Sequence, residues 1–305
     1  MNRLEYRNLL GERTALERML AATPSEDVLD RGSLAARLED VQHRLAAFSG
    51  NEREPARARV TFRGAPVVDS LGIAAEFGTK AVNSFTESVI AMAASLSGPL
   101  AATGRIPNRD QNQLLITGTA VGSFGFELEE RGSEEPGDGD TAAVSEALEL
   151  TRELLHATLG SDEELAESAS ATDRRALDNV RRFLKTLVDN EAVCTVQVGD
   201  AWVRFTDVGQ VRTSFDRLSP ENVHEFEEVI AGQVLGVLPS TRVFEFRRNG
   251  EDKQVLKIKV GATIPDATVL NERLNKPIQI KVNVTRVGNG RPRYTLLEWP
   301  AAAGS

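Results

Sequence analysis

Cysteine is all but missing from this 305-residue chain. Cys194 stands alone, so neither an intrachain disulfide nor a cysteine-based zinc site can form. Histidine is nearly as scarce: His43, His156 and His224 lie far apart, and none has a partner at the spacing of an H-E-x-x-H metal site. No G-x-S-x-G nucleophile elbow occurs. No lysine lies between Lys80 and Lys185, so the glycines of Gly118-Thr-Ala-Val-Gly122-Ser123 lack the cation that a phosphate loop needs. No apolar run approaches the ~18 residues of a membrane span. The opening MNRLEYRNLLGERT carries charges where a secretory signal has its apolar core. The expectation is a cytoplasmic protein without membrane contact.

Two short motifs hint at chemistry and then fail on context. Glu251-Asp252-Lys253 contains the E-x-K of a nuclease core, but it follows Asn249-Gly250 at a hairpin tip with no preceding aspartate on a matching strand. It reads as a polar turn. Asp138-Gly139-Asp140 is too short for a calcium loop. Cys194 falls in an extended segment, where a buried, inert thiol is the usual outcome. The sequence therefore names no catalytic residue, no metal ligand and no cofactor.

What the chain does have is an uneven charge. The net charge is −9. Residues 127–191 hold 18 acidic and 7 basic side chains, whereas residues 240–305 hold 12 basic and 6 acidic. Such asymmetry fits a polyanion-binding surface at the basic end, and equally a complementary contact between domains or subunits.

Three domains are expected. Residues 1–50 read as a helical hairpin broken at Thr23-Pro24-Ser25, and its second helix carries Leu34, Leu38, Val41, Leu45 and Phe48 at heptad spacing. That stripe is the candidate oligomer or partner contact. Residues 56–218 read as a small sheet packed by helices. A strand near 59–68 precedes a long helix at 71–96, whose apolar stripe runs from Ile73 to Leu96. Gln113 to Glu130 follows as one strand bent at Gly122-Ser123. An acidic flexible loop lies at 131–140, and further helices lie at 141–159 and after a Thr172 cap. The segment 192–206 alternates with a period of two around Gly199-Asp200, a type II′ hairpin turn. This hairpin either closes the sheet or bridges to the next domain.

Residues 219–300 give strands near 226–238, 242–248, 254–260, 278–287 and 293–299, with a short helix at 265–274. Strand, strand, strand, helix, strand, strand resembles the order of an OB-fold, a five-stranded Greek-key barrel. The fold class is thus α+β with an OB-like C-terminal barrel. The resemblance implies a binding face on its second and third strands and the neighbouring loops. Those regions hold Arg242, Phe244, Arg247, Arg248, Lys253, Lys257, Arg291, Arg293 and Tyr294, the candidate nucleic-acid contacts. Phe244 and Phe246 share one face, so the aromatics serve either as stacking platforms or as core.

The combination of the G-S-F strand at Gly122-Ser123-Phe124 with a terminal β-barrel also resembles uncharacterised bacterial proteins, some associated with anti-phage defence. That resemblance implies a defence or regulatory context. Two functions follow as expectations. The first is a non-enzymatic interaction, regulatory or sensor subunit that assembles with itself or a partner protein. The second is nucleic-acid or nucleotide binding by the basic face of the barrel.

Overall fold

The structure, a computed structural model, describes residues 3–24, 27–46, 55–120, 124–131, 141–250, 254–261, 264 and 266–299. The chain is mixed α+β. Its contacts divide it into two units, Met1–Pro55 with Arg131–Thr141, and Ala56–Glu130 with Ala142–Ser305. Among the described residues no helix is long and apolar enough to cross a membrane.

The first unit is the expected hairpin of α1 (Arg3–Ala22) and α2 (Val28–Ala46). Arg31 donates to the carbonyls of Leu20 and Thr23, satisfying the open end of α1. The α2 stripe faces inward. Leu9 and Leu16 of α1 are buried with Val41, and Leu34, Leu38 and Leu45 pack against them. The seam assigned to a partner is therefore taken up within the hairpin, because α1 supplies the complementary leucines. Phe48 and most of the acidic 131–140 loop lie outside the described residues.

The second unit contains two sheets. The first is wholly antiparallel, in the order β4 (Leu114–Thr119), β5 (Phe124–Glu130), β1 (Arg57–Gly64), β6 (Ala192–Val198), β7 (Ala201–Arg204). The hairpin at 192–206 thus completes this sheet. Gly199 holds a φ of 55° at its turn, a conformation that glycine adopts without a Cβ penalty. A short ribbon of β2 (Val67–Val68) and β3 (Gly72–Ile73) precedes α3 (Ala75–Leu96). Among the described residues of this unit, helices cover one face. Ala58, Val60 and Phe62 alternate inward, and Phe62 meets Phe77 of α3 edge-on at 5.4 Å. Phe85 of α3 meets Phe183 of α6 (Arg174–Asp189) at 5.5 Å.

Gln113 to Glu130 is not one bent strand but two, β4 and β5, paired with each other. The register shift lies between Ile116 and Gly118 rather than at Gly122-Ser123, which are outside the described residues. Two paired strands win over one continuous strand because each half then gains a ladder of hydrogen bonds. Helix α4 (Thr141–Ala157) appears where its stripe placed it. The carboxylates at 162–167 belong to α5 (Asp162–Ser170), opened by a Ser161/Glu164 capping box. Asp173, not Thr172, caps α6, accepting from the Arg175 amide.

The second sheet follows α7 (Val208–Arg217). Its strands are β8 (Val223–Leu238), β9 (Val243–Arg248), β10 (Val255–Val260), β11 (Pro277–Val287) and β12 (Arg293–Glu298). A 3-10 turn at Ala267–Arg273 joins β10 to β11. The sheet closes on itself in the order β10-β12-β11-β8-β9, with β10 and β12 parallel and every other pair antiparallel. Closure removes sheet edges at the core. Gly232 makes it possible, since a Cβ there would lie 2.1 Å from the Arg247 carbonyl oxygen. The interior holds Ile230, Val234, Phe244, Phe246, Ile258, Ile280, Val282 and Leu296. Helix α5 packs on β11 and β12, and Val223 and Val287 at the strand ends are buried in the first core.

Candidate nucleic-acid interface

The outer face of β9 and β10 is set by strict alternation. Phe244 and Phe246 point inward, as do Leu256, Ile258 and Val260, leaving Glu245, Arg247, Val255, Lys257 and Lys259 outward. The register places Val255 opposite Arg247, Lys257 opposite Glu245, and Lys259 opposite Val243. Among the described residues Arg247, Lys257 and Lys259 form no ion pair. Among the described residues, three cations therefore share a patch with one carboxylate, Glu245.

Other candidate residues lie elsewhere. Phe244 is fully buried and meets Phe246 edge-on at 6.4 Å in the core, so it is not a stacking platform. Arg242 turns its guanidinium onto the carbonyls of Gly261 (3.1 Å) and Ile264 (2.5 Å), where it ties down a loop. Arg248 is paired with Glu228 at 2.6 Å. Tyr294 is partly buried beside them, and burial, then the Glu228 charge, push its hydroxyl pKa up. Arg293 points at the helices and meets Glu167 of α5 at 3.0 Å. Arg291 is exposed, and Lys253 lies outside the described residues. Of the nine, Arg247 and Lys257 share the outer β9–β10 face, and Lys259, a basic residue of the same expected region, lies beside them.

The remaining reactive groups are dispersed. His43, His156 and His224 are exposed on three separate elements. Cys194 is buried in β6 beneath the helices, and burial pushes its thiol pKa far up, which disfavours the thiolate. Among the described residues no group of histidine, cysteine and carboxylate side chains gathers at metal-binding distance. A surface depression of about 410 Å³ lies over residues 105–111. Its Arg109 forks onto Glu87, which holds that carboxyl below the usual range, so the cation is already occupied.

A second exposed face lies outside the expected sites. The side of the first sheet away from the helices carries Arg57, Arg59, Thr61 and Arg63 along β1, with Trp202 and Arg204 on β7. Register aligns Glu127, Arg59, Gln197 and Trp202 in one cross-strand row, and Gly125, Thr61, Thr195 and Arg204 in the next. The signal was present as the Arg-x-Arg-x-Thr-x-Arg alternation of 57–63 and the Trp-x-Arg of 202–204. Comparison with known protein families, curated proteins and solved structures gave no match.

Proposed function

We propose that the protein is a binding protein without catalysis of its own, whose C-terminal sheet is an OB-like barrel holding single-stranded nucleic acid. Counting β8 to β12 as first to fifth, the ring runs first, second, third, fifth, fourth, with the third and fifth parallel and the 3-10 turn between third and fourth. This order supports the OB-like reading, and such barrels bind oligonucleotides on their second and third strands. The observation that carries the function is the outward patch of Arg247, Lys257 and Lys259 on those two strands, without ion-pair partners among the described residues. In a chain of net charge −9, a local cluster of this kind is what a polyanion would meet.

The test is binding of a labelled oligothymidylate as a function of salt. The parent protein binds at low salt and weakens steeply as salt rises. A double charge reversal, R247E with K257E, lowers the slope of log affinity against log salt by about 1.4, from about 0.7 per lost phosphate contact. No binding at low salt, or an unchanged slope, would sink the reading. A helper role in a larger assembly, including the defence setting implied by the resemblance, is part of this proposal. Identifying nucleic acid and proteins that co-purify from the native host tests it.

A further inference from the structure

We infer that the open face of the five-stranded sheet is a second, independent site for single-stranded nucleic acid, in which a base stacks on Trp202 and its phosphates lie on Arg204, Arg63 and Arg59. The indole is 59% exposed on an edge strand, a large apolar side chain left in water. Arg204 lies on the same face two residues on, about 7 Å along the strand. Arg59 is in the same cross-strand row as Trp202, two strands away, or about 10 Å. Gln197, Thr195 and Thr61 fill the ground between with hydrogen-bonding groups.

The charge of this face decides its occupant. Among the described residues, four guanidiniums, of Arg57, Arg59, Arg63 and Arg204, stand against two carboxylates. Glu129 is 3.2 Å from Arg57, and Glu127 is 2.9 Å from Arg59. Arg63 and Arg204 have no partner among the described residues. An exposed ring with unpaired cations to one side of it suits a strand of nucleic acid, because every base has a π-face and every link a phosphate. An open antiparallel sheet with aromatics on its free face is a known platform for such stacking. The site makes no use of the β9–β10 patch, so the two proposals stand or fall separately.

The protein has two tryptophans, and W299F leaves Trp202 as the sole indole reporter. This full-length variant is titrated at low salt with an oligothymidylate of about 12 nucleotides, and with an abasic oligomer of equal length. The expected result is saturable quenching of Trp202 by the first and none by the second. W202A, compared with its parent in the R247E with K257E background that removes the β9–β10 patch, weakens oligothymidylate binding by roughly 5- to 100-fold and leaves abasic binding unchanged. R63E with R204E weakens both. Trp202, Arg63 and Arg204 are exposed, so these variants retain the parent circular dichroism spectrum. Oligothymidylate that binds without quenching Trp202, and equally well to W202A, overturns this inference and leaves the closed sheet as the binding surface. A Trp202 signal that responds to protein concentration and not to oligonucleotide overturns it in favour of self-association. Binding that R247E with K257E abolishes while the Trp202 quench disappears also overturns it, since the two faces would then be one site.

Discussion

Arg217 and Asp162 join two parts of the second unit: Nη2 of the arginine donates to Oδ1 of the aspartate at 2.9 Å. Nη1 of the same guanidinium donates to the carbonyls of Thr158 and Gly160, each at 2.6 Å. One planar fork thus holds the α4–α5 turn to the end of α7. Asp162 in turn backs the β11–β12 turn, where a Cβ on Gly288 would lie 2.8 Å from its Oδ2. Asn222 extends the clasp, its side chain donating to the Arg217 carbonyl and its own carbonyl accepting from the Gly288 amide.

Replacing Arg217 with alanine leaves two carbonyls without their donor. Urea unfolding should show a loss of about 2–4 kcal/mol. R217K recovers only part of this, because an ammonium cannot reproduce the fork. D162N costs less, since its carboxylate is 41% exposed and half in water. If R217A unfolds at the parent midpoint, the clasp does not hold the helices to the closed sheet.

Glu225 on β8 gives a pH dependence. Burial raises its carboxyl pKa; Arg174 at 3.7 Å pulls it back, and Asp173 and Asp178 push it up again. The folded protein therefore binds this proton more tightly than the unfolded chain does. Stability falls as pH rises from the unfolded pKa through the folded one, and the penalty is complete above both. E225Q should raise the melting temperature at neutral pH, and the advantage should vanish in acid where both forms are neutral. Equal melting temperatures at every pH would show that Arg174 already offsets the burial.

Gly232 and Gly125 test the close approaches of the two sheets. A Cβ on Gly232 would meet the Arg247 carbonyl oxygen at 2.1 Å and the Phe246 ring at 2.6 Å; one on Gly125 would meet the Val60 oxygen at 2.2 Å. Backbone must shift in each case, so G232A and G125A should each lose at least about 2 kcal/mol. Gly236 has nothing within 4 Å, and G236A is the control that should cost little.

Cys194 reports on the whole first core. Its sulfur is buried and its thiolate disfavoured, so a thiol reagent at mildly alkaline pH should label it only on unfolding. Labelling rates should track denaturant in step with circular dichroism. Fast labelling of the native protein would mean that β6 opens locally.

The strands of the closed sheet were legible because their inner faces alternate without interruption, as in Ile278, Ile280, Val282 and Val284, and because Asn249-Gly250 marks a turn unambiguously. The β4–β5 hairpin was not, since its turn lacks such a pair and both halves read as extended. Two short helices, α5 and α7, carry too few apolar residues to show a stripe. Their caps, Ser161 with Glu164 and Asp207, were the better signal. For the binding faces, alternation put Phe244 and Phe246 together but could not say which side was inside. Trp202 posed the same question. Local spacing divides a strand into two faces, but only the distant helices α3 and α6 determine which face of this sheet stays open.

The place of β1 at the centre of its sheet has a cost during synthesis. It ends at Gly64, its neighbour β5 is finished at Glu130, and its other neighbour β6 is finished only at Val198. At about 5–20 residues per second, the second edge of β1 waits roughly 7–27 s for its partner on the ribosome. Through that interval the nascent chain exposes Val60 and Phe62 beside an unfilled hydrogen-bonding edge, and a chaperone has its longest opportunity there.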